Sequence, residues 1–208
     1  MKRLFVGMLA AAAIASPALA ADSNNNFKAG DMMVRMRGVL VAPDVGSSVS
    51  PVGGRVHVNN SVVPELDGTY FFTPNVSAEL IAAVTRHNVN ATAAGGINAG
   101  SAWLLPPTLT LQYHFNQLQQ VKPYIGAGVN YTHFFNEDGG ALKDVKYEDS
   151  FGGALQAGVD VPLGNNTYAN FDVKKVFIST TAKFSPSGVK ANVDLDPWLI
   201  GVGVGYKF

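Results

Sequence analysis

Large apolar side chains alternate with small or polar ones along most of this chain. In the last eleven residues one parity reads Trp198, Ile200, Val202, Val204, Tyr206 and Phe208, and the other reads Leu199, Gly201, Gly203, Gly205 and Lys207. Successive side chains of a strand point to opposite faces, so this pattern predicts a strand with one large apolar face and one nearly bare face. Helical periodicity is missing from the chain beyond its first twenty residues.

The same alternation recurs between turn signals, and we predict strands over residues 32–42, 65–73, 76–87, 108–115, 123–135, 151–161, 168–182 and 194–208. An even number of alternating segments of about ten residues is typical of bacterial outer-membrane barrels. A soluble sandwich would bury the same apolar faces in a core. The terminal Phe208 favours lipid, because the ends of soluble domains are usually polar and frayed. We therefore predict an all-β fold, an eight-stranded antiparallel transmembrane β-barrel.

The predicted connections alternate in length. Those over 73–75, 116–122 and 162–166 are short, and those over 43–64, 88–107, 136–149 and 183–193 are longer and rich in Gly, Asn, Ser and Asp. Short turns on one side and long loops on the other predict a sided barrel with the long loops outside the cell and both termini in the periplasm. Aromatic residues concentrate toward both ends of the strands, as rings at two lipid interfaces would.

The N-terminus predicts export. A basic start, Met1-Lys2-Arg3, precedes an apolar run from Leu4 to Ala15 and the small-residue cleavage pattern Ala18-Leu19-Ala20. These parts in this order indicate a signal peptide over 1–20 and a mature barrel over 21–208 in the bacterial outer membrane. The apolar run is too short for a helix across about 30 Å of hydrocarbon, which disfavours a membrane anchor.

Composition narrows the partners. Removing Lys2 and Arg3 with the leader leaves 13 basic against 15 acidic residues, a net charge of −2, which disfavours nucleic acid. Charged residues make up 14% of the chain, well below the roughly 25% of soluble domains. The chain has no cysteine, so an exported fold here is held without disulfides. The expected surroundings are outer-membrane lipid and lipopolysaccharide, and the strand that ends in Phe208 is expected to contact the barrel-assembly machinery.

The inward-facing positions divide into two layers. Toward the periplasmic end they are polar or charged, namely Arg35, Arg37, Glu79, Gln112, His114, Gln156, Asp160, Asp172 and Lys207. Toward the outside they are apolar, namely Val39, Val41, Ile81, Ala83, Phe134, Val176, Ile178 and Leu199. A barrel of eight strands is wide enough only for side chains or one small ligand. The upper layer is therefore either a pocket for small apolar solutes or filler in a structural or adhesive barrel whose loops act as a receptor.

A pocket above a charged layer needs an exit. Displacing paired buried charges costs several kcal/mol, so an apolar solute would leave sideways through the wall more easily than straight down. Proline cannot donate a ladder hydrogen bond and weakens strand pairing locally. The candidate positions for lateral release are Pro106, Pro107 and Pro197.

No catalytic or metal chemistry is visible in the sequence. His57, His87, His114 and His133 lack zinc-ligand spacing, and His114 is expected to be a hydrogen-bonded filler of the lumen. The chain has no Gly-x-Ser-x-Gly elbow, although a Ser-His-Asp triad need not be contiguous. We expect no enzyme activity, no metal and no cofactor. A lipocalin-like soluble carrier is the remaining alternative, and it would require a polar exterior.

Several motifs resemble the OmpW family of outer-membrane proteins. They are Leu105-Pro106-Pro107-Thr108, the run from Lys122 to Thr132 that reads KPYIGAGVNYT, Gln156-Ala157-Gly158-Val159-Asp160, Leu195-Asp196-Pro197-Trp198 and the terminal Gly205-Tyr206-Lys207-Phe208. The similarity covers most of the mature chain and weakens in the long loops. It implies an eight-stranded barrel with a hydrophobic channel and a role in moving small hydrophobic molecules across the outer membrane by lateral release. AlkL-type relatives are associated with alkane uptake.

Overall fold

A computed structural model describes residues 26–208 except 45, 51–55, 59, 84, 92–96, 119, 139–143 and 186–189. The predicted signal peptide therefore lies outside the described residues. The fifteen described strands are β1 (Met32–Ala42), β2 (Gly46–Ser50), β3 (Val56–Val58), β4 (Ser61–Phe71), β5 (Val76–Ala83), β6 (Thr85–Ala91), β7 (Ile97–Leu105), β8 (Thr108–His114), β9 (Lys122–Asp138), β10 (Asp144–Tyr147), β11 (Ser150–Gly164), β12 (Thr167–Val176), β13 (Ser179–Ser185), β14 (Lys190–Asp194) and β15 (Trp198–Lys207). Within this part of the chain no helix is long and apolar enough to cross a membrane.

Eight of these strands close into an antiparallel barrel. The order around the wall is β11, β12, β15, β1, β4, β5, β8 and β9, and β9 pairs with β11 to complete the ring. Closure gives each strand of the wall a hydrogen-bonded neighbour on both sides, as backbone groups in a membrane require. The predicted eight-stranded fold is confirmed, and β1 has the bounds that alternation predicted.

Alternation holds around the wall. In β1 exposed and buried positions alternate from Met32 to Val41, and β8 alternates over its whole length. The outward side chains are large and apolar and include Met36, Leu66, Leu80, Leu111, Ile125, Leu155, Phe171 and Val202. Because these residues project from a closed wall whose polar side chains are buried, the apolar exterior fits lipid and not water.

The prediction that residues 43–64, 88–107, 136–149 and 183–193 are loops is wrong in part. Strands β2, β10, β13 and β14 form a separate four-stranded sheet, and β7, β6 and β3 continue in that order from β9. The alternation of apolar residues ends where lipid ends, but backbone groups still pair beyond that level. The mainly polar sequences of β2, β10, β13 and β14 therefore lack the signal by which the wall strands are recognised.

Two predicted strands are interrupted. The segment 168–182 divides into β12 and β13 at Phe177 and Ile178, and the segment 194–208 begins as β15 only at Trp198. Lys175 lies at this break, on the outward parity. Its Nζ donates to the carbonyl of Asp196 at 2.6 Å and lies 5.1 Å from the centroid of the Trp198 ring. The charge is thus held at the end of the lipid-facing band, as expected for an interfacial lysine.

Candidate functional site

The lower lumen is filled by a network of charged side chains that we call the ionic layer. Its members are Arg35, Arg37, Glu65, Asp67, Glu79, Asp160, Asp172 and Lys174, all of them buried. They come from β1, β4, β5, β11 and β12, which alternate inward at the same height of the barrel.

Two arginines of β1 organise this layer. Arg35 makes a bidentate pair with Asp160, at 3.1 Å from Nε and 2.8 Å from Nη2, and its Nη1 lies 3.1 Å from Asp67. Arg37 Nη2 lies 2.6 Å from Glu79 Oε1 and 2.6 Å from Asp67 Oδ2. Planar guanidinium groups suit such multiple carboxylate contacts, because their donors diverge in a fixed fork.

Neutral side chains complete the network. Gln156 donates to Glu79 at 2.7 Å and to Asp172 at 2.8 Å, and Gln112 donates to Glu79 at 2.8 Å. The Tyr124 hydroxyl donates to Asp172 at 2.8 Å. With this many partners the buried charges are compensated, which is the condition for ions to remain in a medium of low dielectric constant.

Below the ionic layer lies an aromatic layer. Phe27, Met33, Phe71 and Tyr168 form one buried cluster, with the rings of Phe27 and Phe71 stacked at 4.3 Å. His114 meets Phe27 edge-on at 5.2 Å, and its Nε2 lies 3.0 Å from Ser77 Oγ and 3.1 Å from Gln112 Oε1. His114 thus has the contacts of a hydrogen-bonded filler.

Lys207 lies apart from the ionic layer. Its Nζ donates to the carbonyl of Asn26 at 3.3 Å and lies 3.4 Å from Asp31, at the end of the barrel where β1 begins and β15 ends. Among the described residues it has no ion pair within the ionic layer, so the structure separates it from the other charged residues with which the sequence grouped it.

Above the ionic layer the lumen is lined by apolar side chains. Val39, Val41, Ile81, Phe134, Val176 and Ile178 are buried, whereas Ala83 and Leu199 are half-buried. Val176 and Ile178 pack with Ala154, Leu195 and Leu199, and Phe134 stacks on Tyr147 at 5.6 Å. We call the eight predicted positions the apolar lumen. They come from strands and connections around the wall and lie above the charged layer, as alternation placed them.

The two proline sites differ in their surroundings. Pro106 and Pro107 connect β7 to β8, and Pro197 lies just before β15 in the break that follows β14. The Pro197 carbonyl accepts the amide of Val176 at 3.2 Å, and the neighbouring Asp196 carboxylate accepts the amide of Ile178 at 3.0 Å. The Pro107 carbonyl accepts the amide of Tyr131 at 3.1 Å.

Sequence reasoning missed Glu65, Asp67, Lys174, Tyr124 and Phe27. The first two follow from parity, because they flank Leu66, whose apolar side chain belongs to the lipid-facing parity, and must then face the lumen. Lys174 shares the parity of Asp172 but was obscured by the adjacent Lys175. Phe27 precedes the first strand, so no alternation marks it; only the fold shows that it returns into the lumen.

A polar cluster lies on the outer surface at the end of the lipid-facing band. The Tyr131 hydroxyl donates to Asp149 at 2.6 Å, and His133 Nδ1 lies 3.0 Å from the same carboxylate. These hydrogen bonds, that from Tyr131 first, lower the pKa of the Asp149 carboxyl below its usual range. The contact ties the connection before β11 to the wall strand β9.

A closed barrel with an apolar exterior, short turns at one end and a polar, charged interior is the architecture of a bacterial outer-membrane protein. The OmpW family model matches residues 28–208. The chain belongs to the OmpW family and is an outer-membrane protein, so its wall contacts lipid and lipopolysaccharide and its short turns face the periplasm.

Similar proteins support this assignment. An uncharacterised outer-membrane protein of Sinorhizobium fredii is 42% identical over 208 residues, covering 96% of this chain and 90% of that protein. The crystal structure of OprG from Pseudomonas aeruginosa superposes with a TM-score of 0.82 at 33% identity, covering 88% of this chain and 98% of that one. The dibenzothiophene metabolism operon protein PahQ of Pseudomonas aeruginosa is 35% identical over 115 residues, which cover 54% of each chain.

Proposed function

We propose that this barrel takes small apolar molecules into the apolar lumen from the outside and releases them sideways into the outer membrane beside Pro106 and Pro107. The observation that carries the proposal is an interruption of the strand ladder at these prolines, at the height of the apolar lumen and above the ionic layer. The proposed role involves no chemical step and no cofactor.

The interruption is defined by the register. Strand β5 pairs with β8 up to Ile81 opposite Thr108, and the same register resumes with Thr85 of β6 opposite Leu104 of β7. Extending it sets Ala82 opposite Pro107 and Ala83 opposite Pro106, yet no ladder pair joins these four described residues. We call them the proline gap. Since proline has no amide hydrogen, it cannot supply the missing bonds.

The two prolines lack ladder pairs toward β5 but are hydrogen-bonded toward β9. Toward β9 the Pro107 carbonyl accepts the Tyr131 amide at 3.1 Å, and the Asn130 side chain donates to the carbonyls of both prolines at 3.3 Å. Toward β5 the two facing residues are alanines, so small side chains border the gap. The wall can therefore separate between β5 and β8 without detaching β8 from β9.

Pro197 is the weaker candidate for release. Its break is crossed by three hydrogen bonds, from Val176 to Pro197, from Leu195 to Ile178 and from Ile178 to the Asp196 side chain. Separation there would leave several buried backbone groups without partners, each at a cost of about 1–3 kcal/mol.

The lining limits the solute. Transfer of apolar surface into the apolar lumen gains about 25 cal/mol per Å², whereas polar solutes gain little from valine and isoleucine. The ionic layer below opposes straight passage, since a solute would have to displace paired charges. The name of the relative PahQ connects it with dibenzothiophene metabolism, which is consistent with an apolar solute here.

A reversible disulfide tests the proposal, because the chain has no cysteine of its own. A disulfide between Ala82→Cys and Pro107→Cys would link β5 covalently to the segment before β8 and hold the proline gap closed. The matched control is Leu80→Cys with Leu109→Cys, which are paired in the intact ladder two residues lower on the same two strands. We expect oxidation to abolish uptake of an apolar solute in the first variant only, and a reductant to restore it.

The filled, receptor-like barrel predicts different results. In that case cells producing the wild-type protein take up apolar solutes no faster than cells without it, and Ala83→Trp changes nothing. If uptake requires the protein and Ala83→Trp blocks it, but the disulfide has no effect, the solute uses the lumen and leaves by another route.

A further inference from the structure

The segment of residues 26–31, which precedes β1, places the Phe27 side chain in the lumen at the short-turn end; we call it the N-terminal strap. We propose that the strap is a stopper, with Phe27 as its head, that keeps water and small ions out of the lower lumen. This function is separate from the proposed uptake of apolar solutes, because it concerns the opposite end of the barrel.

The wall provides a socket for Phe27. Met33 of β1, Phe71 of β4 and Tyr168 of β12 project inward at the short-turn end, where a barrel without a stopper would expose them to water. Phe27 fills the space between them and is only 1% exposed. Its ring lies 4.3 Å from that of Phe71 and 5.5 Å from that of Tyr168.

Polar contacts hold the strap from several sides. The Asn116 side chain accepts from the Phe27 amide at 3.2 Å and donates to the Phe27 carbonyl at 3.0 Å, as a paired strand would. Lys122 Nζ donates to Asn26 Oδ1 at 2.6 Å, and Lys207 Nζ donates to the Asn26 carbonyl at 3.3 Å. Both polar groups of the Phe27 backbone are thus hydrogen-bonded where the ring is buried, as buried backbone groups require.

The strap also completes the burial of Lys122. This side chain has no exposed surface, and both of its described hydrogen-bond acceptors are neutral, Asn26 Oδ1 and the carbonyl of Asn116 at 2.9 Å. A buried ammonium needs such acceptors in place of water. One of the two is supplied by the strap itself, so binding of the strap and exclusion of water at Lys122 are coupled.

The stopper leads directly to the ionic layer. Phe27 contacts His114 at 5.2 Å, His114 contacts Tyr124 at 5.0 Å, and the Tyr124 ring lies 5.6 Å from the guanidinium carbon of Arg35. Water admitted at Phe27 would therefore need to pass only one further aromatic pair to reach the first buried arginine. The strap therefore controls whether water reaches the ionic layer from the short-turn end of the barrel.

Thiol accessibility tests this arrangement in the purified, folded barrel. Met33→Cys lies behind Phe27, whereas Lys28→Cys lies on the exposed part of the strap. We expect a charged thiol reagent to modify Lys28→Cys rapidly and Met33→Cys slowly. Adding Phe27→Ala to Met33→Cys should accelerate its modification by at least an order of magnitude. Equal rates for Met33→Cys and Lys28→Cys with Phe27 intact would refute the stopper.

Conductance in planar bilayers provides an independent measurement. We expect Phe27→Ala and Asn116→Ala to raise ion conductance several-fold while heat-modifiable migration on gels shows that the barrel remains folded. The matched control is Phe72→Ala, which removes an outward-facing ring next to Phe71 and should leave conductance unchanged. If folded Phe27→Ala barrels conduct no more than the wild type, the ionic layer alone makes the seal and the proposal fails.

Discussion

Gly203 of β15 lies opposite Arg37 of β1, and the backbone of β1 together with the base of the arginine side chain occupies the space that a Cβ atom on Gly203 would need. Such a Cβ would overlap the Met36 carbonyl oxygen and would lie 2.7 Å from Arg37 Cα and 2.8 Å from Arg37 Cγ. Gly205 stands in the same relation to Arg35, whose Cγ would lie 3.0 Å from an added Cβ. The inward face of β15, which carries glycines instead of side chains, therefore leaves the space in which Arg35 and Arg37 of the ionic layer lie.

Gly203→Ala should destabilise the barrel. The added methyl group would overlap the Met36 carbonyl oxygen and the Arg37 Cα, so β1 and β15 would have to move apart, and overpacking of this kind costs about 1–3 kcal/mol. Gly38→Ala is the matched control, since it lies on the outward face of β1 and its Cβ would meet no atom within 4 Å. Urea unfolding from lipid vesicles measures both variants, and equal stabilities would contradict the role assigned to Gly203.

Glu79→Leu should be far more disruptive than loss of a surface carboxylate. Glu79 lies 2.6 Å from Arg37 Nη2 and accepts hydrogen bonds from Thr110, Gln112 and Gln156. Removing one partner from a buried charge network costs about 3–5 kcal/mol. Asp44→Asn is the comparison, because Asp44 is exposed where it pairs with Lys175, and exposed pairs contribute about 0–1 kcal/mol. Denaturant midpoints that shift equally would show that the ionic layer is not structural.

Replacing Pro106 and Pro107 with valine should restore amide donors to the proline gap and reduce uptake of an apolar solute while the barrel stays folded. Pro197→Val should leave uptake nearly unchanged, because the break at Pro197 is already crossed by hydrogen bonds. Whole-cell uptake of a labelled apolar solute, normalised to the amount of folded barrel, compares the variants. Loss of uptake in Pro197→Val alone would move the exit to that site.

The contact between Tyr131 and Asp149 should depend on pH. Because hydrogen bonding lowers the pKa of Asp149, the contact contributes stability above the ordinary aspartate pKa of about 3.9 and loses it as the pH falls through the lowered value. A carboxyl carbon NMR titration should give a midpoint below that of a free aspartate. Tyr131→Phe should raise the midpoint, whereas Tyr206→Phe, at the other end of the barrel, should not. A midpoint insensitive to Tyr131→Phe would rule out this hydrogen bond as the cause.

Local sequence was sufficient for the wall of the barrel. Period-two alternation identified eight strands and the direction of each side chain, because a strand with one face in lipid must place its apolar residues at every second position. The same rule directs Arg35 and Asp160, like Val39 and Ile81, into the lumen from their positions in the sequence. What alternation could not supply was the pairing of particular charges, since Arg35 and Asp160 are 125 positions apart and meet only when the barrel closes.

Tertiary structure alone decided three further features. Strands β2, β10, β13 and β14 are held by backbone pairing and have mainly polar sequences, so they leave no hydrophobic signal in the sequence. The proline gap lies where the pairing of β5 with β8 and that of β6 with β7 share one register, a property of the paired strands and not of either segment. Phe27 belongs to no strand, and its burial follows from a socket that residues from three distant strands form together. Alternation predicts whether a side chain points to lipid or to the lumen. Which side chains meet inside the lumen depends on barrel closure, which brings strands that are distant in sequence to the same level along the barrel axis.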